Sequence, residues 1–155
     1  MKKETIRKIF DFLEEKGEHN APLLWKLEND IPITEKDLDF EGDLILTYSD
    51  IELLPEGLNV RGDLDLFGSE LTSLPKGLKV GAYLDIRYTK ITSLPKGLKV
   101  GGYLDIRYTK ITSLPKGLEV GDFFMIGFTP IAKYSDEELR EMIKPGFIKG
   151  QIERD

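Results

Sequence analysis

GAYLDIRYTKITSLPKGLKV, residues 81–100, is followed at once by GGYLDIRYTKITSLPKGLEV, residues 101–120, and the two stretches agree at 18 of 20 positions. Diverged copies flank them, DLDLFGSELTSLPKGL at 63–78 and DFFMIGFTPI at 122–131. A fixed 20-residue period marks a solenoid, in which one short unit stacks on copies of itself and buries a continuous core between neighbours.

The phase of the repeat follows from its apolar rows. Leu44, Leu64, Leu84, Leu104 and Phe124 form one. Leu46, Leu66, Ile86, Ile106 and Ile126 form the next, followed by Ile51, Leu71, Ile91, Ile111 and Ile131, and by Leu54, Leu74, Leu94 and Leu114. Alternation in YLDIRY turns Leu84 and Ile86 to one face, and Tyr83, Asp85 and Arg87 to the other. Each coil then buries one side of a short strand, and stacked coils extend one parallel sheet. Prolines 55, 75, 95 and 115 and glycines 57, 77, 97 and 117 punctuate the corners. Ser49, Ser69, Thr89, Thr109 and Thr129 form a hydroxyl row placed to bond buried turn backbone.

Helical signals lie outside the repeats. Ile6, Ile9, Phe10 and Leu13 make one apolar stripe, and a second short helix is expected over Leu23, Leu24, Trp25 and Leu27. Ser135-Asp136-Glu137-Glu138 reads as a capping box opening a helix through Leu139, Met142 and Ile143. The expected organisation is an N-terminal helical cap at 1–37, a solenoid of about five coils at 38–131 and a C-terminal helical cap at 132–155, folding as one domain.

The motif Leu84-x-Ile86-x-x-Thr89-x-Ile91-x-x-Leu94-Pro95 resembles the leucine-rich repeat core, LxLxxNxLxxLP, in its short bacterial 20-residue form. The resemblance covers roughly residues 38–131. It departs at two places: Thr or Ser replaces the ladder asparagine, and Gly81 stands where a leucine is expected, with Leu78 and Val80 carrying that packing. These departures leave open a more β-helix-like coil with a second short strand at Leu78–Val80. Similar repeats look like those of small bacterial and bacteriophage proteins. The resemblance implies a curved horseshoe whose strand face binds other macromolecules; it does not imply catalysis.

Outward positions of stacked strands recur about 4.8 Å apart. Tyr83, Tyr103 and Phe123 form an aromatic row, Asp65, Asp85 and Asp105 an acidic one, and Phe67, Arg87 and Arg107 a third, with Tyr48, Tyr88, Tyr108 and Phe128 beside it. Aromatic and arginine side chains on a rigid sheet supply the hot spots of protein interfaces. Phe67, Tyr83, Asp85, Arg87, Tyr103, Asp105, Arg107 and Phe123 are therefore the candidate partner-binding residues, although the same rows can simply neutralise and stack on one another. Lys76, Lys96 and Lys116, with Lys79, Lys99, Lys90 and Lys110, line the outer turns and offer an alternative, a nucleic-acid or polyanion edge. Against it, residues 58–129 hold 10 Lys/Arg and 7 Asp/Glu, while the flanks hold the other 12 Lys/Arg and 21 Asp/Glu, so the whole chain is acidic at −6. A structural role in a phage or host assembly is a third reading.

His19 is the only histidine and there is no cysteine, so no histidine triad, Cys-based zinc site or disulfide is available from this chain. No GxxxxGK[ST] or GxGxxG loop occurs, and no apolar run approaches the roughly 18 residues of a membrane span. The expectation is a cytoplasmic, monomeric, non-enzymatic protein with no cofactor, binding a protein partner.

Overall fold

The computed structural model describes residues 23–155. The stripe Ile6, Ile9, Phe10, Leu13 and the lone histidine lie outside the described residues. The second expected helix is present as α1 (Leu23–Glu28), and a short 3-10 turn (Glu35–Leu38) leads from it to the first strand. Lys26 of α1 is completely buried and its Nζ donates to Asp37 Oδ2 at 2.9 Å. Asp37 also accepts from Thr34 N and Thr34 Oγ1, both at 2.7 Å. Burial alone would raise the Asp37 pKa, but these bonds outweigh it and hold the carboxyl below its ordinary value.

Twelve two-residue strands follow. The odd ones are β1 (Asp39–Phe40), β3 (Asn59–Val60), β5 (Lys79–Val80), β7 (Lys99–Val100), β9 (Glu119–Val120) and β11 (Phe147–Ile148). The even ones are β2 (Leu44–Ile45), β4 (Leu64–Asp65), β6 (Leu84–Asp85), β8 (Leu104–Asp105), β10 (Phe124–Met125) and β12 (Ile152–Glu153). They form two parallel six-stranded sheets, an odd sheet and an even sheet, each in the order of the chain. The single sheet expected from the apolar alternation is thus half of the scaffold. The second strand of each coil, left open around Leu78–Val80, is β5 and its equivalents.

The register confirms the stacking. Leu44 pairs with Leu64, Leu64 with Leu84, Leu84 with Leu104 and Leu104 with Phe124, each a 20-residue step. The solenoid therefore makes about four turns at that step. All four inward rows are buried in one continuous apolar cluster, with Leu64, Leu84, Leu104 and Phe124 fully enclosed. Each such side chain contributes roughly 1.5–3 kcal/mol relative to exposure, before chain entropy is subtracted.

Glycine makes the corner between the two sheets. A Cβ on Gly101 would lie 2.2 Å from the Gly81 carbonyl oxygen, and one on Gly121 would lie 1.9 Å from that of Gly101. Successive coils pass too closely at these two positions for a side chain.

The C-terminal cap differs from expectation. The capping box is formed, Ser135 Oγ accepting from Glu138 N at 3.1 Å and Glu138 Oε2 from Ser135 N at 2.8 Å, and it opens α2 (Asp136–Met142). The chain then returns to both sheets as β11 and β12. Phe124 pairs with Ile152, a step of 28 residues, so α2 is an insertion within a further coil. Arg140 of α2 donates to the carbonyls of Ile148, in the last odd strand, and of Gly150, in the corner after it, satisfying backbone acceptors at the end of the stack.

Candidate functional site

The outer face of the even sheet gathers the eight candidate residues: Asp85 and Asp105 lie in β6 and β8, Tyr83, Tyr103 and Phe123 just before a strand, and Phe67, Arg87 and Arg107 just after one. Their roles differ. Asp85 and Asp105, expected on the surface, are 1% and 0% exposed. They are overlaid by the side chains that flank them. Asp85 accepts from Arg87 N at 2.9 Å, Arg87 Nη2 at 2.6 Å and Tyr83 Oη at 3.1 Å. Asp105 accepts from Arg107 N at 3.1 Å and Arg107 Nη2 at 2.7 Å, and also meets Tyr83 Oη at 3.4 Å and Arg87 Nε at 3.4 Å. Each carboxylate thus closes a tight turn over its own strand and pins the arginine two residues on. Asp65 makes the same backbone bond to Phe67 N at 2.9 Å, where an aromatic ring replaces the arginine.

The charges of Asp85, Asp105, Arg87 and Arg107 are therefore satisfied among themselves. Hydrogen bonding to Asp85 raises the Arg87 pKa further above its ordinary value against the opposing effect of burial, and Asp105 does the same for Arg107. Burial, then the neighbouring Asp85 and Asp105 charges, raises the Tyr83 phenol well above its usual range. Arg87 also lies over the Phe67 ring, 4.9 Å from its centroid.

Aromatic rows border this ionic strip on both sides. On one side Tyr103 stacks on Phe123 with ring centroids 5.6 Å apart and planes at 6°, whereas Tyr83 stands at 79° to Tyr103 with centroids 6.4 Å apart. On the other side Tyr88, Tyr108 and Phe128 form a parallel stack at 4.5 and 4.6 Å. Phe67 bridges that stack edge-on to Tyr48, its centroid 5.3 Å from both Tyr88 and Tyr48. The outer row is the more exposed: Tyr48 73%, Tyr88 53%, Tyr108 41% and Phe128 67%.

These four residues lay beside the expected site without being counted in it, yet their backbones are the unusual ones. Tyr48, Tyr88, Tyr108 and Phe128 have φ of 54°, 57°, 60° and 56°, and Gly68 occupies the same row at 62°. The turn is closed by Thr89 N to Ile86 O at 3.3 Å, and its left-handed third residue is a position that ordinarily selects glycine. The signal was present in the sequence as a row in which one coil has glycine and the others an aromatic. It carries weight only once the backbone conformation is known. The hydroxyl row behind these turns divides by residue type. Thr89 and Thr109 donate to Ile86 O and Ile106 O at 2.8 and 2.7 Å, and Thr129 to Ile126 O. The buried Ser49 and Ser69 hydroxyls have no partner among the described residues.

The lysines of the outer turns are exposed and partly paired, Lys90 with Glu70 and Lys99 with Glu119. Among the described residues no cluster of His, Cys, Asp and Glu could hold a metal ion, and no helix is long and apolar enough to cross a membrane. No family model, curated protein or solved structure matches the chain.

Proposed function

We propose that the chain is a protein-interaction module of leucine-rich-repeat type, which docks a partner on the outer face of its even sheet and performs no catalysis. The observation that carries this reading is the row of exposed aromatic side chains at left-handed turn positions. Gly68 shows that the turn accepts glycine, and a side chain there costs about 1–2 kcal/mol of backbone strain. Such outliers persist where they serve a function. A rigid sheet also loses little entropy on binding, so flat aromatic contacts convert efficiently into affinity. The arginines of that face are held by Asp85 and Asp105, which favours a protein surface over a phosphate backbone. With no cysteine the fold draws nothing from an oxidising compartment, and a monomer acting in the cytoplasm fits this reading.

The test is affinity capture with the wild-type chain and with Tyr108→Gly. Glycine relieves the strain but loses two ring stacks of about 0.5–1.5 kcal/mol each, so stability should fall by only about 1 kcal/mol. Proteins retained by the wild type and identified by mass spectrometry should be lost with the variant. Recovery of the same set would remove the aromatic row from the interface.

A further inference from the structure

We propose that the cleft between Tyr83 and Tyr103 receives the ammonium group of a lysine on the partner protein, with Asp63 as its counter-charge. This deepens the protein-binding reading and rests on it. The cleft has a volume of about 410 Å³ and is lined by Asp63, Ala82, Tyr83, Gly102, Tyr103 and Met125.

It exists because one ring leaves its row. Tyr83 turns its hydroxyl to Asp85 and Asp105, at 3.1 and 3.4 Å, while Tyr103 stays parallel to Phe123. The two tyrosines consequently make walls at 79°. Ala82 and Gly102 contribute little or no side chain to the lining, and Met125 completes it.

The charge arrangement selects the occupant. Asp85 and Asp105 are neutralised by their arginines. Asp63 spends one oxygen on Tyr83 N, at 2.9 Å, and has no cationic partner among the described residues. An unneutralised carboxylate beside two ring walls attracts an organic cation. A right-angled corner suits a compact ammonium, whereas a planar guanidinium stacks on a single ring.

Amide chemical shifts of the full chain, titrated with N-acetyl-lysine methylamide and with its neutral analogue N-acetyl-norleucine methylamide, test this directly. The lysine probe should shift Ala82, Gly102 and Tyr103 and bind about two- to fivefold more tightly than the neutral one, the range of an exposed cation–π contact. Asp63→Asn, which keeps an acceptor for Tyr83 N, should lower that preference without unfolding the chain. Equal binding of the two probes, or no shift at these residues, would overturn the assignment. Tighter binding of tetramethylammonium than of the lysine probe would overturn it too, in favour of a small quaternary ligand. The titration needs no captured partner and Asp63 is distinct from Tyr108. A negative titration alongside Tyr108-dependent capture would therefore remove the lysine slot alone, whereas capture insensitive to Tyr108 would strike at the interface itself.

Discussion

Coils 81–100 and 101–120 are near-copies, yet they present different surfaces. Tyr83 bends over Asp85 and Asp105, while Tyr103 stands in a stack with Phe123. Arg87 lies over Phe67 and reaches both carboxylates, while Arg107 serves Asp105 and donates to the Asp155 carbonyl oxygen at 3.2 Å. The interior of the two coils is the same, with Leu84, Ile86, Leu104 and Ile106 all fully buried. Each coil meets copies of itself inward, but outward it meets whatever its two neighbours carry. A repeated sequence thus specifies a repeated core and a non-repeated face.

The largest expected effect probes the equal half of that comparison. Leu84→Ala and Leu104→Ala should each cost about 3 kcal/mol in chemical denaturation, since both empty the same kind of enclosed site. A difference above about 1 kcal/mol would show that the two interiors are not equivalent. The ionic strip should come next and should differ. Asp105→Asn leaves two guanidiniums and the Tyr83 hydroxyl facing a neutral amide, and Asp85→Asn leaves one guanidinium and that hydroxyl. We expect about 2 kcal/mol for the first and about 1 kcal/mol less for the second, reduced from a buried pair because the arginines are partly solvated. The reverse order would break the comparison.

The smallest effect is the most specific. Tyr83→Phe should cost about 1 kcal/mol, whereas Tyr103→Phe should be nearly silent, as the Tyr103 hydroxyl bonds to no described residue. The pH dependence tests Tyr83 further. Tyr83 is raised from an ordinary value of 10.0, so above pH 10 the unfolded chain releases its proton before the folded one does. Its contribution to stability is present below pH 10 and is lost as the pH rises beyond it. Tyr83→Phe should flatten that alkaline decline in thermal unfolding; a profile identical to that of the unsubstituted chain would mean that Tyr83 is not held by the two carboxylates.

Much of the scaffold is legible in the chain. The inward rows fall in register because apolar side chains 20 residues apart have only one shared interior to occupy. The helix at Ser135 announces itself through a capping box, which depends on four neighbouring residues alone. Less legible is the return of the chain after that helix, since Phe147–Ile148 and Ile152–Glu153 are too short and too diverged to display the repeat. The candidate rows were readable as rows, but alternation alone placed Asp85 and Asp105 on the surface. It could not register that Tyr83 and the arginines fold back over them. Nor could it register the left-handed turns of Tyr48, Tyr88, Tyr108 and Phe128.

Periodicity by itself therefore determined that this chain coils, how far apart its copies lie and which side chains face inward, because burial of apolar surface depends on residue type and spacing. Only the tertiary structure decided that each coil bends into two strands, which carboxylates disappear beneath their neighbours and where a cleft opens between tyrosines. Those outcomes turn on close approach between backbones at Gly81 and Gly101, and on hydrogen bonds between residues 20 and more apart. Spacing along one chain does not contain them.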